Sequence, residues 1–255
     1  MTIAIEQFGC RSDNYGVLVH DPASGETASI DAPEADPILA ALERRGWRLT
    51  HLLVTHHHHD HTDGIDALKR LGEVEVIGPE AEQGAIRGLS RTVRPGETLD
   101  VCGDRVAVID ARGHTNGQVA YHFTQAKRLF AADCLFSLGC GRVFEGTMAD
   151  MHGSLARLAA LPADTMVHCG HEYTASNAAF ALTVDPDNAA LQRRAAAVRE
   201  ARERGEPTVP VRLGDELETN PFLRPHDPAI RRTLGMEDAS DAAVFAALRR
   251  RKDAA

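Results

Sequence analysis

Between Thr55 and His61 the chain reads Thr-His-His-His-His-Asp-His. Taken at alternate positions, this is His56-x-His58-x-Asp60-His61. Residues two apart in an extended or turning segment point the same way, so His56 and His58 can reach one metal ion. Asp60 and His61 lie further on and can face a neighbouring ion. Imidazole nitrogens with one or two carboxylate oxygens suit zinc, iron or manganese. A histidine run also arises as an expression tag, as a metal-buffering tract or as ordinary polar residues at a strand end. Tags sit at termini, and a buffering tract is low in complexity and needs no distant partners. This run is internal, and three later segments supply what two ions would still lack: Gly113-His114-Thr115, Asp133 after the apolar run 129–132, and Gly170-His171-Glu172. Each follows a predicted strand, where loop-borne functional groups gather at one edge of a sheet.

The elements that must position these residues are readable in outline. Strands are predicted over 15–19, 51–55, 74–77, 105–110 and 165–169, and a hairpin over 119–123 and 128–132. Helices are predicted over 35–45, ending at Gly46, over 64–71, stopped by Gly72, and over 154–161, with Ser154 as cap. The mixture, without a strict βαβ rhythm, fits a layered α/β domain. After Tyr173 the texture changes. Residues 187–204 and 241–251 carry helical stripes, and no strand is expected there. The expectation is a mixed domain over 1–172 followed by a helical domain over 173–255.

Composition narrows the field. The 255 residues are 43% hydrophobic and 25% charged, with a net charge of −9. That is globular composition, and the acidic balance argues against nucleic acid or an anionic membrane as partner. No stretch approaches the roughly 18–20 apolar residues of a membrane span. Glu6 and Gln7 stand where a signal peptide would need an apolar run. A cytoplasmic protein is expected. The five cysteines, Cys10, Cys102, Cys134, Cys140 and Cys169, are scattered and contain no C-x-x-C. They read as small buried hydrophobes, not as a disulfide framework or a cysteine-based structural zinc site.

The pattern T-H-x-H-x-D-H, then G-H-T, an Asp after a strand and a late G-H resembles the metallo-β-lactamase superfamily. Within it, Gly139-Cys140-Gly141-Arg142-Val143-Phe144-Glu145-Gly146-Thr147, Gly170-His171-Glu172-Tyr173-Thr174 and Asn220-Pro221-Phe222-Leu223-Arg224 resemble the glyoxalase II family of hydroxyacylglutathione hydrolases. The resemblance runs from Tyr15 to the 249–253 terminus. It implies an α/β fold, the metallo-β-lactamase-type αβ/βα sandwich, followed by a C-terminal helical domain. It implies two divalent ions, zinc first, with iron or manganese as alternatives. His56, His58 and His114 would hold one ion, Asp60, His61 and His171 the other, and Asp133 would bridge both; Asp60 and Asp133 would be the catalytic carboxylates. His57 would orient a ligand through its ring N–H. Arg142, Phe144, Tyr173, Arg249 and Lys252 would contact the substrate, a small-molecule glutathione thioester. A monomer is expected, and composition argues against nucleic acid and membrane as partners. Two departures stand out. Phe144 replaces a Tyr of some members, and Gln118 replaces a His often seen after G-H-T.

The implied reaction is hydrolysis of S-(2-hydroxyacyl)glutathione, chiefly S-D-lactoylglutathione, to glutathione and D-lactate, as the second step of methylglyoxal detoxification. Two ions about 3.5–4 Å apart can hold a hydroxide for attack and polarise the carbonyl. The thiolate, with a parent pKa of about 8.5, leaves without a strong general acid. No G-x-S-x-G elbow is present. The rivals are other superfamily enzymes, such as a β-lactamase, a lactonase, a phosphodiesterase or a glutathione persulfide dioxygenase, and a non-catalytic metal-binding module. The N-P-F-L-R and R-x-x-K segments weigh against the dioxygenase, and the complete ligand set weighs against the module. Replacing the bridging carboxylate by Asp133→Ala is expected to lose metal and activity together; full activity in that variant would contradict its bridging role.

Overall fold

The computed structural model describes residues 3–255. In chain order the elements are β1 (Ala4–Cys10), β2 (Asn14–His20), β3 (Thr27–Ile30), α1 (Ala35–Arg45), β4 (His51–Leu53), α2 (His59–Thr62), α3 (Ile65–Lys69), β5 (Glu75–Pro79), β6 (Arg91–Val93), β7 (Thr98–Val101), β8 (Asp104–Asp110), β9 (Val119–Phe123), β10 (Arg128–Ala132), β11 (Leu135–Phe136), β12 (Gly139–Cys140), α4 (Met148–Ala159), β13 (Met166–Cys169), α5 (Thr174–Val184), α6 (Ala189–Glu203), β14 (Val211–Arg212), α7 (Leu213–Thr219), α8 (Pro228–Leu234) and α9 (Asp241–Asp253). The chain divides into two compact units. One runs up to Ala111 and includes Thr115–Ala131; the other is Arg112–His114 with Ala132–Ala255.

In the first unit, β1 to β6 form one sheet in sequence order. β1, β2 and β3 pair antiparallel, and β3, β4, β5 and β6 pair parallel. Parallel strands are covered on both faces and are therefore apolar on both. On one face Leu52, Val54 and Val76 pack with Ile38, Ala41 and Leu42 of α1 and Leu68 of α3. On the other, Ile30, Leu53 and Ile77 meet Val106, Val108, Tyr121, Phe123 and Phe130. Those five belong to the antiparallel meander β7–β10. The neighbours Leu52 and Leu53 thus serve opposite cores, as strand alternation requires. α1 ends as expected at Gly46, which takes φ 66°. The helix expected over 64–71 is present in shorter form as α3, and a separate one-turn helix, α2, precedes it within the histidine run.

This topology decides where chemistry can sit. Because β3, β4 and β5 are parallel, their carboxyl ends open on one edge of the sheet. The segments leaving them are Asp31, Thr55–His61 and a 3₁₀ turn ending at Glu82. In open parallel sheets, that edge is where ligands bind.

In the second unit, β11 pairs with β12 and β13 with β14, both antiparallel. β14 corrects the expectation that no strand follows Tyr173. At two residues it is too short to leave a periodic signal. α4 starts earlier than expected, because Thr147 and Asp150 form a reciprocal capping box. Ser154 is no cap; it is buried inside α4 and its hydroxyl donates to the Arg112 carbonyl at 2.7 Å. α5 went unpredicted because its apolar residues are not confined to one stripe. Among the described residues, no helix is long and apolar enough to cross a membrane.

The Asn220–Arg224 segment organises this unit. The Asn220 amide donates to the Phe136 and Gly139 carbonyls at 3.2 and 2.9 Å, gripping the β11–β12 hairpin. Its carbonyl oxygen accepts from the Phe222 N–H at 3.0 Å. Phe222 is 1% exposed and packs against Phe180 and Phe245. The Arg249 guanidinium lies 5.2 Å from its ring centre. Phe222 therefore anchors α9 and the cations on it. Truncation by Phe222→Ala is expected to cost about 3–5 kcal/mol in a denaturant melt. A loss under about 1 kcal/mol would contradict the anchoring role.

Candidate functional site

The first unit carries the histidine run. His56 and His61 are buried, and His58 and Asp60 are partly so. The Asp31 carboxylate, 4% exposed, organises them. It accepts from the Thr55 N–H at 2.7 Å, the Thr55 hydroxyl at 2.9 Å and His61 Nδ1 at 2.8 Å. A carboxylate cannot donate, so the His61 proton sits on Nδ1 and its Nε2 lone pair is presented. Thr55 spends its proton on Asp31, so its oxygen accepts from His56 Nδ1 at 3.0 Å. That puts the His56 proton on Nδ1 and turns Nε2 toward His58. Asp31 has φ 56°, a left-handed conformation costly for a non-glycine residue. A second buried acid, Glu82, accepts from the His57 N–H at 2.6 Å and His57 Nδ1 at 2.9 Å. It also takes the Gly117 N–H at 2.9 Å and the Thr115 hydroxyl. The nitrogens His56 Nε2 and His58 Nδ1 lie 3.2 Å apart. His61 Nε2 lies 3.7 Å from Asp60 Oδ2. Gln118 is buried and donates to the Ala131 carbonyl at 3.2 Å.

The second unit carries the remaining expected ligands. Asp133 follows Ala132, which has φ 42°, so a strained residue aims the carboxylate out of the strand end. Asp133 Oδ2 lies 3.3 Å from His114 Nε2 and 3.3 Å from His171 Nε2. His114 Nδ1 donates to the Arg142 carbonyl at 2.8 Å, again presenting Nε2. Gly141 is obligatory, because a Cβ there would stand 1.8 Å from the Asp133 carbonyl oxygen.

This donor set fits divalent metal. Two ligand atoms bound about 2.0–2.1 Å from one tetrahedral ion are about 3.3–3.4 Å apart. The His56–His58 separation and both Asp133–imidazole separations fall at that spacing. An oxygen equally spaced from two imidazole nitrogens suits a carboxylate serving two ions at once.

The expected substrate contacts also fall in the second unit. Tyr173 is 38% exposed and stacks on His171 at 4.9 Å and 2° between planes. Phe144, 61% exposed, stands edge-on to His114, and the Arg142 guanidinium lies 5.9 Å from its ring centre. Lys252 donates to the Ser176 carbonyl at 3.0 Å. Burial, and next the Arg249 cation, lowers its ammonium pKa. Arg249 departs from the expectation of a direct substrate contact. It is 4% exposed. Its Nη1 donates to the Cys140 carbonyl, Nε donates to Asp253 at 3.1 Å, and Nη2 lies 2.9 Å from the same carboxylate oxygen as an ion pair. Burial pushes the neighbouring Cys140 thiol up to about 11.

Reasoning from sequence missed Asp31 and Glu82. The available signal for Asp31 was a lone carboxylate directly after the Ile30 strand end. Glu82 carried none, since its partners are remote in sequence. Because Asp31 sets the His61 tautomer, Asp31→Asn is expected to weaken metal affinity about 10–100-fold. A competition titration against a chelating dye would measure this, and an unchanged affinity would remove Asp31 from that role.

Comparison with known proteins places the chain in a family. A family model described as the metallo-beta-lactamase superfamily matches residues 11–171, and one described as the hydroxyacylglutathione hydrolase C-terminus matches residues 172–255. The hydroxyacylglutathione hydrolase of Mesorhizobium japonicum is 56% identical over 253 residues, covering 99% of each chain. That of Rhizobium meliloti is 57% identical over 251 residues, covering 98% of each. Among solved structures, the BLEG-1 B3 metallo-beta-lactamase superposes with a TM-score of 0.67 at 18% identity, over 87% of this chain and 100% of its own, which speaks to the fold alone. The fold is thus the metallo-β-lactamase type followed by a helical C-terminal region, and the chain belongs to the hydroxyacylglutathione hydrolase (glyoxalase II) family.

Proposed function

We propose that the chain hydrolyses S-(2-hydroxyacyl)glutathione thioesters, chiefly S-D-lactoylglutathione, to glutathione and the free acid. The observation that carries the reaction class, in a chain of this family, is the Asp133 carboxylate spaced equally, at 3.3 Å, from His114 and His171. We assign His56, His58 and His114 to one divalent ion, Asp60, His61 and His171 to a second, and Asp133 to both. Imidazole and carboxylate donors accept zinc, iron or manganese, and we place zinc first. When bound, such ions supply Lewis acidity and bring the pKa of water toward about 7. Residues 1–172 are the catalytic part in this reading, and 173–255 the part that grips the thiol half.

The chain's own groups do the rest. Asp31 and the Arg142 carbonyl keep protons on the Nδ1 atoms of His61 and His114, so that Nε2 is the nitrogen each ring presents. Tyr173 and Phe144 offer aromatic surface to the substrate's thiol half. Arg142 and Lys252 supply positive charge for glutathione carboxylates on a protein whose net charge is −9. Arg249, buried between Cys140 and Asp253, acts as a positioning residue for this group. The thiolate, with a parent pKa of about 8.5, departs unassisted by a strong acid.

Purified, metal-loaded protein is expected to release free thiol from S-D-lactoylglutathione, and to stop when the metal is chelated. No thiol release by the loaded protein would overturn the reading. Oxygen consumption with glutathione persulfide in its place would assign it to the dioxygenase chemistry of the same fold.

A further inference from the structure

We propose that Asp253 is an internal carboxylate that competes with a substrate carboxylate for Arg142. The inference rests on the glutathione-thioester reading above and deepens it. One oxygen, Asp253 Oδ1, serves two arginines: it accepts from Arg249 Nε at 3.1 Å and lies 2.9 Å from Arg249 Nη2 and 3.3 Å from Arg142 Nε. The two cations differ sharply. The Arg249 side chain is 5% exposed, so its pairing with Asp253 is fixed by burial. The Arg142 side chain is 56% exposed, so its pairing is one exposed contact of the kind solvent readily exchanges.

The position of Asp253 is itself informative. It is the last residue of α9, where the helix dipole disfavours a negative charge. The Arg249 and Arg142 contacts offset that cost. Arg142 also lies against the exposed ring of Phe144, and its backbone carbonyl orients His114. A cation tied to the candidate metal ligands is thus held by a carboxylate of the protein itself. An incoming carboxylate must take Arg142 from Asp253, whereas Arg249 keeps its partner. Asp253 therefore lowers affinity for carboxylate-bearing ligands and favours release of free glutathione after the thioester is cut.

The test is calorimetric titration of the metal-loaded protein with glutathione and with glutathione diethyl ester, whose carboxylates are neutralised. Asp253→Asn is expected to bind glutathione about two- to fivefold more tightly, the scale of one exposed ion pair. The gain is expected to be absent with the diethyl ester and absent in an Arg142→Ala background. The charge-retaining Asp253→Glu is expected to show no gain, and it serves as a second folded variant. Unchanged or weaker glutathione binding by Asp253→Asn would overturn the proposal, as would an equal gain for the diethyl ester. Failure of the wild-type protein to bind glutathione at all would instead bring down the underlying reading, and this proposal with it.

Discussion

A neutral imidazole has one proton and one lone pair, so it serves a metal best when another group holds the proton on its other nitrogen and fixes the ring. The candidate site depends on meeting that requirement. In the first unit Asp31 meets it twice, directly at His61 and through the Thr55 hydroxyl at His56. In the second the Arg142 carbonyl meets it at His114. Asp31 stands at a parallel strand end in a left-handed conformation, a cost borne by three hydrogen bonds to its carboxylate. Burial of this acid is tolerable because three hydrogen bonds satisfy it, two of which orient His61 directly and His56 through Thr55.

Much of this was legible in the sequence. Alternate spacing in 56–61 pairs His56 with His58 without reference to any fold, and the nitrogens stand 3.2 Å apart. His114, Asp133 and His171 follow strand ends as expected. What sequence could not show were contacts of long reach. Glu82 ties the His57 backbone, 25 residues before Glu82, to Gly117, 35 residues after it, and nothing local marks that acid. β14 is two residues long, and α5 is apolar on more than one side, so neither leaves the periodic trace that a longer or half-exposed element would.

The terminal helix shows how packing changes a reading made from spacing. Arg249 and Lys252 share a helical face, which suggests two cations offered together. Burial separates them. Phe222, Cys140 and Asp253 enclose Arg249, while Lys252 stays partly exposed beside Phe180. The N-P-F-L-R segment thereby gains a physical role. Asn220 holds the β11–β12 hairpin, and Phe222 holds the helix that carries the cations. The excess of acid over base in the whole chain does not forbid an anionic substrate, because the local balance around Arg142, Arg249 and Lys252 is positive.

The central claim is a hydrolase with two metal ions held by one ligand set. Its most direct test is a titration of metal-stripped protein with zinc, following thiol release from S-D-lactoylglutathione at each addition. The account predicts that activity climbs to a plateau at two equivalents per chain. Full activity in the stripped protein, or a plateau at one equivalent with no second ion bound, would contradict it.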